Sequence, residues 1–156
     1  MQAELNLGGL SLQGTWKPSQ VERGAAGELY VELVPRVTVV PLQSGEGLLW
    51  EALTRLDSLS GTTREVLPRH GPEVGELAVL VLNYEVRPLL ARWHPLLEQW
   101  ETDRPTGTSR AAYEDVWPHA GQLGEQLEVT HRRLVDYDDL LTAAAHVPPL
   151  AVPTND

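Results

Sequence analysis

LAVLVLNYEVRPLLARWHPLLEQWE, running from Leu77 to Glu101, carries apolar side chains at Val79, Leu82, Val86, Leu89, Trp93, Leu96 and Trp100. The spacings are 3, 4, 3, 4, 3 and 4, the rhythm of a helix packed along other helices. Two prolines, Pro88 and Pro95, lie inside it, each preceded by a long polar side chain, Arg87 and His94. Proline has no N–H, so Pro88 releases the carbonyl of Tyr84 and Pro95 that of Ala91. A buried helix must find donors for such groups. Asn83, Arg87 and His94 stand beside the seam and are the candidates to supply them. In a functional reading, the same three residues form a polar row for an acidic partner or ligand.

The same rhythm recurs on both sides of this segment. Upstream, Ser19-Gln20-Val21-Glu22 fits a capping box that opens a first helix near Pro18. Ala26, Leu29 or Tyr30, Leu33, Val37 and Val40 carry its stripe. LYVELVPRVTVV is rich in β-branched residues and is compatible with a strand. Glu32 and Arg36, four apart on one polar face, favour helix, with Pro35 bending it. A second helix opens around Ser44, a candidate N-cap, and repeats at Leu49, Ala52, Leu56, Leu59, Thr63 and Val66. Pro68 and Gly71-Pro72 end it. The third helix runs from about Gly75 to Thr102. A fourth starts at Thr108 or Ser109 and keeps the rhythm at Tyr113, Val116, Ala120, Leu123, Leu127, Thr130, Leu134, Tyr137, Leu141 and Ala144. Pro118 should kink it or divide a lead-in turn from the main helix.

Residues 4–16, ELNLGGLSLQGTW, alternate apolar and polar around Gly8-Gly9. They read either as a β-hairpin lying on the helices or as an arm without fixed structure. The expected fold is therefore mostly all-α: an up-down-up-down four-helix bundle with a short N-terminal hairpin or arm. Residues 1–17 form the hairpin or arm, 18–146 the bundle, and 147–156 a disordered tail.

Composition narrows the function classes. The chain has 156 residues, enough for one domain with a real core. Ile, Phe and Cys are missing, and a single Lys stands against 11 Arg, the bias of a GC-rich bacterial genome. The net charge of −10 disfavours nucleic acid and anionic membrane surfaces. Without cysteine there is no disulfide, thiolate nucleophile or Cys-based zinc site. No signal-peptide pattern and no apolar run of roughly 18 residues is present, so the expected location is the cytoplasm.

Chemical motifs are sparse. A di-metal carboxylate bundle needs two Glu-x-x-His motifs. This chain has one, Glu128 to His131, with a partial echo in His94 and Glu98. The five histidines lie near no glycine-flanked serine elbow, and Gly45-Glu46-Gly47 lacks the spacing and the Lys of a phosphate loop. Asp136, Asp138 and Asp139 read as a solvated face rather than a calcium loop. No cofactor, catalytic residue or metal ligand is expected. Of five tryptophans, Trp93 and Trp100 fall on the helix-three seam and read as core. Trp50 and Trp117 fall beside their seams, and tryptophans there would mark an interface.

GELYVELVPRVTVVPLQSGEGLLWEALTRLDSLSGTTREVLPRHGP, followed by LAVLVLNYEVRPLLARWHPLLEQWE, resembles an uncharacterised family of small bacterial helical proteins. The resemblance spans about residues 26–102 and rests on Glu32, Arg36, Arg64, Asn83, Arg87, Pro88, Trp93, His94, Pro95, Trp100 and Glu101. The chain departs from it at Pro35, where the pattern has Thr, and at Ser60, where it has Phe. The resemblance implies a bacterial accessory protein from multi-gene conflict or defence loci, and no activity. The expected function is a non-enzymatic interaction or adaptor subunit, whose partner is a protein encoded nearby or a second copy. Its candidate binding residues are Asn83, Arg87, His94, Trp93, Glu101, Glu32, Arg36 and Arg64. Two alternatives remain: a small-ligand sensor or enzyme using Asn83, Arg87 and His94, joined by Glu32 and Arg36 of the first helix, and a metal-binding bundle using His94, Glu98, Glu128 and His131.

Overall fold

The computed structural model describes residues 1–37, 48–66 and 72–145, with the side chains of 34–37, 66 and 72 excepted. The proposed cap at Ser44, the break at Pro68 and the tail from 147 lie outside these residues. The structure is mostly helical, with a two-stranded antiparallel hairpin at the N-terminus.

The hairpin is formed by β1 (Gln2–Leu7) and β2 (Leu10–Thr15), so the N-terminal segment is not a loose arm. Leu5 pairs with Leu12 and Leu7 with Leu10, which puts four leucines on one face. Gly9 turns the chain at φ +80°, a conformation that suits glycine. That face lies on the helices, where Leu5 and Leu7 are buried.

Helix α1 (Gln20–Val37) starts as the capping box demands. The Glu22 amide donates to Ser19 Oγ at 3.2 Å, and the Ser19 amide donates to Glu22 Oε2 at 2.9 Å. Ala25, Ala26, Leu29 and Leu33 form its buried stripe. The small residues let α1 lie close along α6, its most extensive partner. Helix α2 (Leu49–Val66) buries Leu49, Ala52, Leu53, Leu56, Leu59 and Thr63, and packs on α1, α4 and α6.

Helix three begins at Pro72 rather than near Gly75, and is not one uniform helix. It comprises α3 (Pro72–Val81), a π-helical turn (Leu82–Val86) and α4 (Arg87–Thr102). In the π turn the Arg87 amide reaches back to the Leu82 carbonyl, five residues away. The wider turn inserts one residue into the seam and rotates everything before it. Ala78 and Val81 are buried and Val79 is exposed, against the expected register. From the end of the π turn onward, Val86, Leu89, Trp93 and Leu97 face inward and Leu96 outward.

The fourth seam is divided at Pro118. Ser109 caps a short helix α5 (Arg110–Asp115), accepting from the Ala112 amide at 3.2 Å. Helix α6 (Ala120–Ala145) follows. It buries Leu123, Leu127, Thr130, Leu134, Tyr137, Leu141 and Ala144, as the spacing predicts. Val116 sits at the break and is exposed, whereas Trp117 turns inward and is buried. A continuous helix would have placed the two the other way round. Among the described residues no helix is long and apolar enough to cross a membrane.

Candidate functional site

The expected site residues separate into two groups. Asn83 and Arg87 are exposed, and among the described residues the Arg87 side chain makes no hydrogen bond or ion pair. They therefore do not answer the carbonyls freed by the prolines. The Tyr84 carbonyl instead lies against the hairpin turn: a Cβ on Gly8 would stand 2.6 Å from it. Glu32 is half-buried and engaged with a neighbour. Arg64 is exposed in the last turn of α2, where a cation suits the helix dipole. The side chain of Arg36 is outside the described residues.

The group that occupies the π turn is Glu85, which the 3-4 rhythm left beside the seam. It is 4% exposed. Its Oε1 accepts from Thr130 Oγ1 at 2.8 Å, and its Oε2 accepts from the Gly8 amide at 2.8 Å. Arg133 Nη1 lies 3.0 Å from Oε2 and 3.4 Å from Oε1. One carboxylate thus joins the hairpin turn, the π turn and α6. A carboxylate buried with this set of donors is satisfied.

The second group, Trp93, His94 and Glu101, lies along the C-terminal half of α4, each with its own partners. Trp93 is 1% exposed. Its indole N–H donates to Gln126 Oε1 at 2.6 Å, and its ring meets Trp117 edge-on with centroids 6.0 Å apart. His94 is half-buried, edge-on to Trp50 at 5.2 Å. Trp100 stacks on Tyr113 at 4.5 Å and donates its N–H to the Tyr113 carbonyl at 2.9 Å. Glu101 Oε2 takes Arg104 at 3.2 Å and Arg110 at 3.3 Å. Its Oε1 is buried with no partner among the described residues.

Glu114, also not foreseen, caps α2 from a distant element. It accepts from the Leu49 amide at 2.8 Å and the Trp50 amide at 3.1 Å. Burial pushes its carboxyl above the ordinary value; the two amides pull it back, Glu101 raises it further and Arg110 lowers it. The tryptophan-rich box is therefore a fastening: α5 closes over the ends of α2 and α4. Within it His94 lies edge-on to Trp50, and among the described residues no carboxylate or hydroxyl is hydrogen-bonded to it. Glu98 and Glu128 are exposed, and no three His, Asp or Glu side chains among the described residues form a metal-binding group.

A concave surface lies elsewhere, beneath the hairpin. It is an apolar groove of about 230 Å³ between Leu5 and Leu12 on one side and Leu77 and Leu140 on the other. Trp16 also lines it, and its buried indole N–H has no partner among the described residues. Among the described residues, the charged members of its lining are Glu4 and Glu73.

Comparison with protein-family profiles, with curated proteins and with solved structures returns no match.

Proposed function

We propose that the protein is a non-enzymatic interaction subunit, an adaptor in a bacterial multi-component assembly. Its frame in this reading is an up-down-up-down bundle of α1, α2, the α3–α4 pair and α6. The observation that carries the reading is the groove beneath the hairpin, whose surface is mostly apolar and comes from Leu5, Leu12, Leu77, Leu140 and Trp16, with Glu4 and Glu73 among its polar lining residues. Enzyme and sensor sites bring several oriented polar groups into a cleft; partner surfaces present apolar area. The buried carboxylates support the same view: Glu85 and Glu114 each hold one element to another, and Glu22 closes the cap of α1. The resemblance of residues 26–102 to bacterial accessory proteins adds the setting, a multi-gene locus with a defence role.

Co-expression with the products of adjacent genes tests this. The expected result is a complex that survives gel filtration and persists in Arg87→Ala and His94→Ala. Monomeric elution with every neighbouring product overturns the adaptor reading. A partner lost in both variants moves the interface to the polar row on helix three.

A further inference from the structure

We infer that the outer edge of β2 receives an extended, cationic peptide strand of a partner protein, seated in the groove beneath the hairpin. This rests on the adaptor reading and names its surface and the chemistry of its partner.

The register of the hairpin decides which backbone groups are free. Met1 and Trp16 exchange both bonds, each at 2.8 Å. In an antiparallel pair such exchanging positions alternate with positions whose backbone groups point away. Ala3 with Gly14, Leu5 with Leu12 and Leu7 with Leu10 are thus the bonded pairs. The amides and carbonyls of Ser11, Gln13 and Thr15 therefore point away from β1. The sheet has two strands among the described residues, so this edge is a template for a third.

Burial shows where the third strand belongs. The inward leucines of β1 are sealed, at 2% and 4% exposure for Leu5 and Leu7. Those of β2, Leu10 and Leu12, are only half-buried. The sheet packs on α6 through β1, and β2 overhangs. Gly14 shares the inward face, yet a Cβ there would meet nothing within 4 Å. A strand added beside β2 would cover Leu10 and Leu12, with alternate apolar side chains over Leu77 and Leu140. Trp16 would supply one further donor. Glu4 and Glu73 line the groove, and among the described residues no Lys or Arg does. On a chain of net charge −10 the complementary occupant is basic. A second copy would bring the same acidic lining to its own edge.

The test is selection of a random twelve-residue peptide library on the full chain, tagged at its C-terminus. The enriched sequences should alternate apolar residues at i and i+2 and carry Lys or Arg. A synthetic peptide of that consensus should bind the wild type by fluorescence anisotropy. Gly14→Leu fills the open space without requiring a positive φ and should weaken binding about tenfold or more. Gln13→Pro removes one outward amide without breaking a bond to β1, and should weaken binding by about three- to tenfold. Both variants should retain the wild-type circular dichroism spectrum. Three results overturn the inference: no enrichment, an acidic or helix-spaced consensus, or equal affinity for Gly14→Leu. A dimer in sedimentation that Gly14→Leu dissolves also overturns it, in favour of self-pairing. A neighbouring-gene partner that still binds Gly14→Leu sinks the edge and leaves the adaptor reading standing.

Discussion

Trp93 shows how one residue serves as both ballast and fastener. Its ring fills the space between α4, Trp117 and His119, and its N–H is bonded to α6. Trp93→Ala should therefore cost about 3–5 kcal/mol in denaturant melts; a loss below about 1 kcal/mol would show that the ring is not core. Asp138 carries the opposite sign. Burial first, and Asp139 second, push its carboxyl from 3.8 up to about 6, and its Oδ1 lacks a partner among the described residues. A raised folded-state value means stability that is present below pH 3.8 and lost as pH rises through about 6. Asp138→Asn should raise the melting temperature by a few degrees at pH 8 and change it little at pH 4. An equal shift at both pH values would exclude this origin. Arg87→Ala should fall within about 0.5 kcal/mol of wild type, as expected for an exposed side chain without a bonded partner. A larger loss would restore to Arg87 the structural part that Glu85 plays.

Among the elements, the π turn governs the rest. Pro88 removes the α-helical donor to Tyr84, and the wider turn that results swings Glu85 inward to receive Gly8, Thr130 and Arg133. The hairpin is docked by that contact as much as by its leucines. Gly8→Ala would place a methyl 2.6 Å from the Tyr84 carbonyl, a backbone atom that cannot rotate away. The hairpin must lift, at about 1–3 kcal/mol. Amide exchange in residues 2–15 should quicken while α6 remains protected; unchanged exchange in β1 and β2 would refute the docking. The helix starts at Ser19 and Ser109 and the fourth-helix seam from Leu123 to Ala144 were legible in the sequence, because capping and amphipathic spacing are local. Leu96 departs from its expected place because the step from Trp93 to the next buried residue is four, to Leu97; Val79, Val116 and Trp117 depart for another reason. The 3-4 rhythm does not continue across Pro88 and Pro118, where the backbone changes its turn or stops.

The whole molecule should give a dominantly helical circular dichroism spectrum; a strand-dominated one would contradict the fold. Its elements follow from properties each segment carries alone: apolar periodicity, caps, and a two-glycine turn between alternating leucines. Of the candidate site, His94 and Glu101 share one side of α4 because seven residues make about two turns, while the adjacent Trp93 points about 100° away, into the core. What lies around them, Trp50, Arg110, Tyr113 and Glu114, was not legible. Glu85 has the same character: its partners Gly8, Thr130 and Arg133 lie 77, 45 and 48 residues away. Local patterning, written in each segment's own side chains, determined the secondary structure and most of the core. Tertiary packing alone decided which carboxylates are buried and which strand edge stays open. Burying a charge is tolerable only where donors from distant elements converge on it, and no segment can specify that by itself.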